Sequence, residues 1–445
     1  MKRRLVAGIG CLVVLGLLIA GCTWFGVERL DPQSLLPERA YIVEFNKLPK
    51  HLDVDIAALG GKVTGVLEQI DVAVVSSSRE DFADLAAGLP GVVEVLPDLA
   101  FEFAVPRLEE VEPEAGPESE PYFGYQWGML AIDAPGAWDA GYKGSGARVA
   151  VLDTGVDYTH PDLAANVDLA SSASMVPYDP SLIPVHWHAT HVAGIVAADD
   201  NGIGVTGVAP DAEIISVKVF GINPDTGALE GFFSWTLAGI LHAVDVGADV
   251  INMSLGGYVA HSELPANETN AFINLVRKTV NYADRQGVFV VCSAGNDALD
   301  GQGDGGLLHV PSDVGNAVCI SATGPIGWIF DPSTDLDVLA IYSNYGPQID
   351  FAAPGGNDVL WPEPGWHYDM ILSSYPGGWA WADGTSMSAP HVAGVAALII
   401  GKNGGDMKPQ HVLRDLRQSS DDLGKPGQDV YYGHGRVNAA RAVNP

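Results

Sequence analysis

Asp383-Gly384-Thr385-Ser386-Met387-Ser388-Ala389-Pro390-His391-Val392-Ala393-Gly394 sets a serine in a run of small residues just before a periodic apolar stretch of Val392, Val395, Ala396, Leu398 and Ile399. The pattern predicts the N-terminus of a buried helix. There the first backbone N–H groups lack intrahelical partners and the helix dipole is positive, so negative charge developing beside the Ser386 hydroxyl is stabilised. An isolated serine in this position is a helix cap. A nucleophile needs, in addition, a base, an orienting carboxylate and an oxyanion donor from elsewhere in the chain.

Three further blocks contain those residue types. Val149-Ala150-Val151-Leu152 runs into Asp153-Thr154-Gly155, which delivers a carboxylate at the end of a strand into a tight turn. His188-Ala189-Thr190-His191-Val192-Ala193-Gly194 opens a second small, apolar stretch, with His186 two residues before it. Ser293-Ala294-Gly295-Asn296 closes the apolar run Val288 to Val291. Taken singly, Asp153 reads as a turn residue and Asn296 as a residue following a glycine turn.

Together the four blocks resemble the signatures of the subtilisin-like serine proteases, over roughly residues 122 to 445. The resemblance implies an α/β fold of three layers, with a mainly parallel sheet flanked by helices. It also implies an endopeptidase that hydrolyses peptide bonds through an acyl-enzyme. Ser386 is then the nucleophile, His188 the base, Asp153 the group that orients the imidazole, and the Asn296 side chain an oxyanion donor. The family's base is the first histidine of its motif, which assigns the role to His188 and leaves His191 packed on the helix. The family has glycine where this chain has Ala189, so an added methyl is expected to crowd the packing there.

Asp249 to Gly257 resembles the strand against which the family lays an extended substrate, so Ser254, Leu255 and Gly256 are expected to bind substrate backbone. Phe233 falls where an aromatic lines a pocket upstream of the cut, implying a preference for bulky apolar residues. The loop Asp199 to Val205 resembles the family's calcium loop. The implied oxygen ligands come from Asp199, Asn201, Ile203 and Val205, with Asp162 and Glu120 from outside the loop. Such an ion is structural, and no organic cofactor is expected.

Upstream, residues 1–21 open with Lys2-Arg3-Arg4 and continue apolar, the pattern of a secretory signal. Leu18-Ile19-Ala20-Gly21-Cys22 resembles a bacterial lipobox, which implies lipidation at Cys22 and a membrane contact made only through that anchor; an ordinary signal peptide is the alternative. Residues 22–105 alternate short strands (Ala40 to Phe45, Ile70 to Val75, Val92 to Val95) with a helical stretch, Arg79 to Leu89. They are expected to form a small α+β propeptide that inhibits the enzyme from within. Pro106 to Pro121, rich in Pro and Glu, reads as an exposed linker. Residues 122–445 form the expected catalytic domain, and cleavage is expected near Ala104 or in the linker.

The chain has 445 residues, with 55 Asp and Glu against 23 Lys and Arg, a formal net charge of −32. That excess argues against nucleic acid or an anionic membrane surface as a partner. Cys292 and Cys319 lie in apolar runs and read as buried thiols, with a disulfide between them as the alternative. The expected product is a secreted or cell-envelope monomer, made as a zymogen, whose substrates are proteins or peptides. An inactive, surface-anchored binding protein with the same fold is the competing reading, motivated by Ala189 and the lipobox, and a dedicated processing protease is another.

Overall fold

The runs of Val and Ile become strands buried on both faces, which is the condition for a parallel sheet covered by helices. A computed structural model of the chain describes residues 38–102, 107–110, 121–260, 266–301 and 307–444. The signal peptide, the lipobox at Cys22, Glu120 and most of the linker lie outside the described residues. Seven parallel strands run in the order Ile349–Pro354, Val318–Thr323, Phe289–Ser293, Val250–Met253, Arg148–Asp153, Glu213–Lys218, Ala173–Ser174.

Successive side chains of a strand face opposite sides of the sheet, and the two faces have separate cores. Val149, Val151, Ile214, Val291 and Ile320 belong to one, under the helices His188–Ala197 and Thr385–Lys402. Ala150, Leu152, Ile215, Val217, Ile251 and Val290 belong to the other, under Phe233–Asp245 and Ala266–Gln286. Asp153 ends one strand, Ser254 follows another directly and Asn296 follows a third within three residues. All three therefore stand at the carboxyl edge of the sheet, where open α/β folds bind ligands. Cys292 and Cys319 are register partners on adjacent strands, and both are buried free thiols.

Residues 39–97 form a separate four-stranded antiparallel sheet in the order Gly61–Leu67, Val72–Ser77, Arg39–Phe45, Val92–Pro97. Its core of Tyr41, Val43, Phe45, Ile56, Val75 and Phe82 lies under the helices Leu52–Ala58 and Phe82–Ala87. The opposite face puts Ile42, Ile70, Val72 and Leu96 into the second core of the large domain. Lys278 Nζ donates to Glu44 Oε1 (2.7 Å) and to the Ile70 carbonyl (2.6 Å), and Gln69 Nε2 donates to Asp245 Oδ2 (2.7 Å).

Arginines tie the acidic surface at shared points. Arg148 reaches Asp168 (2.7 Å) and Glu213 (3.1 Å), and Arg436 reaches Asp337 (2.7 Å) and Asp421 (2.7 Å). Among the described residues no helix is long and apolar enough to cross a membrane.

Asp98 makes a close two-point polar contact between the two parts. Its carboxyl accepts from the Ser234 N–H (3.0 Å) and hydroxyl (2.6 Å), capping the helix Phe233–Asp245. Burial pushes this carboxyl up to about 6, against the pull of the Ser234 bonds. Docking thus favours the protonated form. Its contribution is full below the ordinary value of 3.8 and is lost as pH rises through about 6. Hydrogen exchange of residues 229–236, corrected for intrinsic rates, should show more frequent opening at pH 8 than at pH 5, and Asp98→Asn should remove the difference. Equal opening at both pH values in the parent would detach this carboxyl from docking.

Candidate active site

The helix Thr385–Lys402 is buried along sixteen of its 18 residues, as a helix apolar on all sides is. It holds Ser386 in its first turn, 6% exposed, at the floor of a cleft of about 500 Å³. Pro390 lies inside this helix and has no N–H, so the carbonyl four residues earlier, that of Ser386, loses its helical donor. The Ser254 hydroxyl takes the vacant place, donating to the Ser386 carbonyl at 2.7 Å. In return the Ser386 hydroxyl donates to the Ser254 carbonyl (3.3 Å). The nucleophile candidate and the first residue of the expected substrate strand are locked together in both directions.

His188 opens its own helix, and its Nδ1 lies 2.8 Å from Asp153 Oδ2 and 3.0 Å from Oδ1. A carboxylate accepts, so Nδ1 carries the proton. Both side chains are fully buried. The Thr154 N–H fixes the carboxylate through Oδ1 (2.7 Å). His191 points elsewhere: its Nε2 donates to the Ala380 (3.0 Å) and Ile371 (3.2 Å) carbonyls, and burial lowers it to about 3. His191 is therefore a neutral core histidine. The Ala189 methyl is fully buried in the main core, and its N–H donates to Thr154 Oγ1 (3.2 Å).

Asn296 Oδ1 accepts from the Thr385 N–H and from Thr385 Oγ1, both at 2.8 Å. A backbone N–H can only donate, so the amide oxygen is assigned to that side and its NH₂ to the other. Ser254, Leu255, Gly256 and Asn296 all line the cleft. A β-carbon on Gly256 would overlap the His309 ring, which explains glycine there. Phe233 is not among the lining residues. It is 6% exposed and packs edge-on against Phe272, 4.2 Å between centroids, while Phe220, Tyr258 and Tyr342 are among the aromatics that line the cleft.

Two supports have no local signal in the sequence. Asn344 Oδ1 accepts from the Asp297 (3.1 Å) and Leu299 (3.0 Å) N–H groups while its Nδ2 donates to the Ala294 carbonyl (2.8 Å), shaping the turn that carries Asn296. The Tyr342 hydroxyl accepts the Gly384 N–H (2.8 Å) and lies 2.8 Å from the Gly356 carbonyl. Asn344 sits some forty-five residues or more from what it holds and Tyr342 forty-two from Gly384, so only the folded chain brings these bonds into view.

The calcium candidates are gathered in part. Asp162 is fully buried; its Oδ2 accepts from the Val205 N–H (3.1 Å) and Trp379 Nε1 (2.7 Å), and its Oδ1 has no hydrogen-bond partner among the described residues. Burial pushes this carboxyl up. The Asp199 N–H donates to the Asp162 carbonyl (2.8 Å), and Asn201 Oδ1 accepts from the Ile203 N–H (2.9 Å). No group of three or more His, Cys, Asp or Glu capable of holding a metal occurs among the described residues. An ion here would thus rest on one carboxylate, an amide oxygen and backbone carbonyls, a donor set that suits calcium.

A serine at a helix N-terminus and an amide line one cleft, and a buried Asp–His pair stands with them at the carboxyl edge of the parallel sheet, the residue types a serine hydrolase uses. The family profile of the subtilases matches residues 144–435, and the chain belongs to the Subtilase family of peptidases. It is a serine endopeptidase. The M-protease of Shouchella clausii is 34% identical over 395 residues, covering 86% of this chain and 88% of that one. Subtilisin Savinase of Lederbergia lenta is 36% identical over 318 residues, covering 71% and 98%. Among solved structures, fervidolysin from Fervidobacterium pennivorans, a keratinolytic enzyme, superposes with a TM-score of 0.72 at 26% identity, covering 92% of this chain and 61% of that one. The epidermin leader peptide processing protease of Staphylococcus aureus shares the fold, with a TM-score of 0.75 at 24% identity over 92% and 98% of the two chains.

Ser254→Ala leaves the Ser386 carbonyl buried without a donor, a cost of about 1–3 kcal/mol. Thermal unfolding should shift down accordingly and turnover should fall with it. A melting curve superimposable on the parent's would mean that water replaces the hydroxyl without loss.

Proposed function

We propose that Ser386, His188, Asp153 and Asn296 catalyse peptide-bond hydrolysis in a secreted enzyme made as a zymogen. Ser386 Oγ attacks the scissile carbonyl while His188 Nε2, the ring nitrogen away from Asp153, takes its proton and then returns it to the leaving amine. Asp153 holds the tautomer and stabilises the imidazolium. The Asn296 NH₂ and the Ser386 N–H, one of the unpaired donors of the first helical turn, receive the oxyanion.

One observation supports the zymogen reading above the others: the segments on either side of residues 103–106 both pair with strands of the catalytic domain. Ala100–Glu102 pairs antiparallel with Leu229–Phe232, and Leu108–Glu110 pairs antiparallel with Gly378–Ala382, the strand that leads into Ser386. Residues 39–102 then act as the propeptide and inhibitor, and the cut falls between the two pairings or in the linker beyond. Cys22 carries the lipid, so processing parts the catalytic domain from the anchor. The full chain made in a bacterial host, with and without Ser386→Ala, tests these points by intact mass. The parent should yield a catalytic fragment starting between residues 103 and 122 and an N-terminal fragment beginning at Cys22 with added acyl mass, while the variant stays joined. Two folded, uncut chains would overturn the assignment of the triad, and an N-terminal fragment without acyl mass would remove the lipid.

Calcium is the structural ion of this reading, held by Asp162, Asn201 and the carbonyls of Asp199, Ile203 and Val205, with Glu120 as a further ligand. An ion bound only by the folded state stabilises it by mass action, roughly 5–10 °C at a hundredfold excess over Kd. Chelation should lower Tm by that amount in the parent, and Asp162→Asn should abolish the response. An unchanged Tm on chelation would retire the ion.

A further inference from the structure

The strand Leu108–Glu110 does more than pair with Gly378–Ala382. Its pairing sets Leu108 opposite Ala382, so that the preceding residue, Arg107, arrives beside Asp383 at the mouth of the cleft. Because the chain enters along Leu229–Phe232 at residues 100–102 and leaves through Arg107, that arginine stands on the carboxyl side of any bond cut between the two pairings. This is the side of the leaving group.

The Arg107 side chain is received by residues of the catalytic domain. Its Nη1 lies 2.6 Å from Asp358 Oδ2. Its guanidinium carbon lies 4.8 Å from the ring centroid of Trp361 and 5.8 Å from that of Trp366, both within the range of cation–π attraction. Asp358 is 17% exposed at its side chain, and its Oδ1 is buried with no hydrogen-bond partner among the described residues. A second acid, Asp383, is 5% exposed, and its carboxyl is raised to about 7 by burial first and Asp358 next, with Arg107 pulling the other way. A flat cation with a fork of donors matches this setting, with indole faces to stack on and a carboxylate to grip; a lysine ammonium exploits the stacking less well.

We propose that Asp358, Trp361 and Trp366 form a subsite for an arginine side chain on the leaving-group side of the scissile bond. Arg107 fills it in the uncut chain, and protein substrates fill it once that segment withdraws. Recognition downstream of the cut therefore adds a basic requirement to whatever the upstream pockets select. The subsite rests on the assignment of Ser386 and His188 given above, and its test separates the two.

The processed enzyme is assayed on quenched fluorescent peptides that differ at one position only. Arginine, citrulline or lysine is placed in turn at the first, second and third residues after the cut. The quantity read is the ratio of kcat/KM for arginine over citrulline within each enzyme, so that any general effect of a variant on turnover cancels. At one position the parent should favour arginine by about tenfold, the size of one charge-assisted bond in a sheltered site. Asp358→Asn should bring that ratio close to one. Trp361→Ala, a change at a half-exposed side chain that the fold tolerates, should reduce it as well. An Arg107→Ala enzyme, in which the chain's own arginine no longer competes, should show the preference undiminished or larger. A ratio near one at all three positions in both the parent and Arg107→Ala, or a ratio that survives Asp358→Asn, overturns the subsite. A peptide anilide with no residue beyond the bond is the control. If it is not hydrolysed, the triad assignment fails, and if it is hydrolysed without an arginine preference, only the subsite fails.

Discussion

A helix buried along nearly its whole length decides where Ser386 can be. Thr385–Lys402 runs beneath the sheet with no face left to solvent, so the serine in its first turn has no freedom to drift without disturbing the main core. The proline inside it would weaken an ordinary helix by about 3 kcal/mol. Here the carbonyl it frees accepts from Ser254, and a local defect is turned into a tie between Ser386 and the strand beside it. Asn296 is bound into the same first turn through Thr385, and Tyr342 holds the Gly384 N–H just before it.

The features legible in the sequence are those whose cause is local. Asp153 at the end of an apolar run, His188 at the start of a helix and Ser386 before a periodic stretch each carry their reason within a dozen residues, and the resemblance of the four blocks was enough to expect a parallel sheet. Asn344, Tyr342 and Asp358 have no such neighbourhood. Asn344 and Tyr342 act on backbone far away in the chain and Asp358 on a distant arginine, and such residues look like any loop residue until the chain is folded. Phe233 shows the opposite failure. The resemblance set a pocket wall at Phe233, but Phe272 from the next helix packs against it and Phe220 stands at the cleft. At Ala189 the concern was steric, and the core of this chain has room for the methyl.

The N-terminal sheet owes its place to two kinds of contact with different reach. Apolar side chains from its second face join the core under Phe233–Asp245 and Ala266–Gln286, which gives adhesion without direction. Asp98 at the helix end and the pairing of residues 100–102 supply the direction, delivering the chain to the cleft in one register. Removing either kind alone would leave a unit that sticks without aiming or aims without holding.

The shared arginines point to a property of the whole surface. Arg148 and Arg436 each hold two carboxylates, Asp421 is held by both Arg436 and Arg441, and acids outnumber bases by 32 over the chain. With 55 acids against 23 bases, the excess carboxylates repel one another across water. Dissolved ions shorten the reach of that mutual repulsion to about 8 Å at physiological strength and less beyond it. They weaken the few bridges as well, but the like-charge pairs are the larger population. For this molecule dilute buffer is the harsher solvent, and brine the milder one.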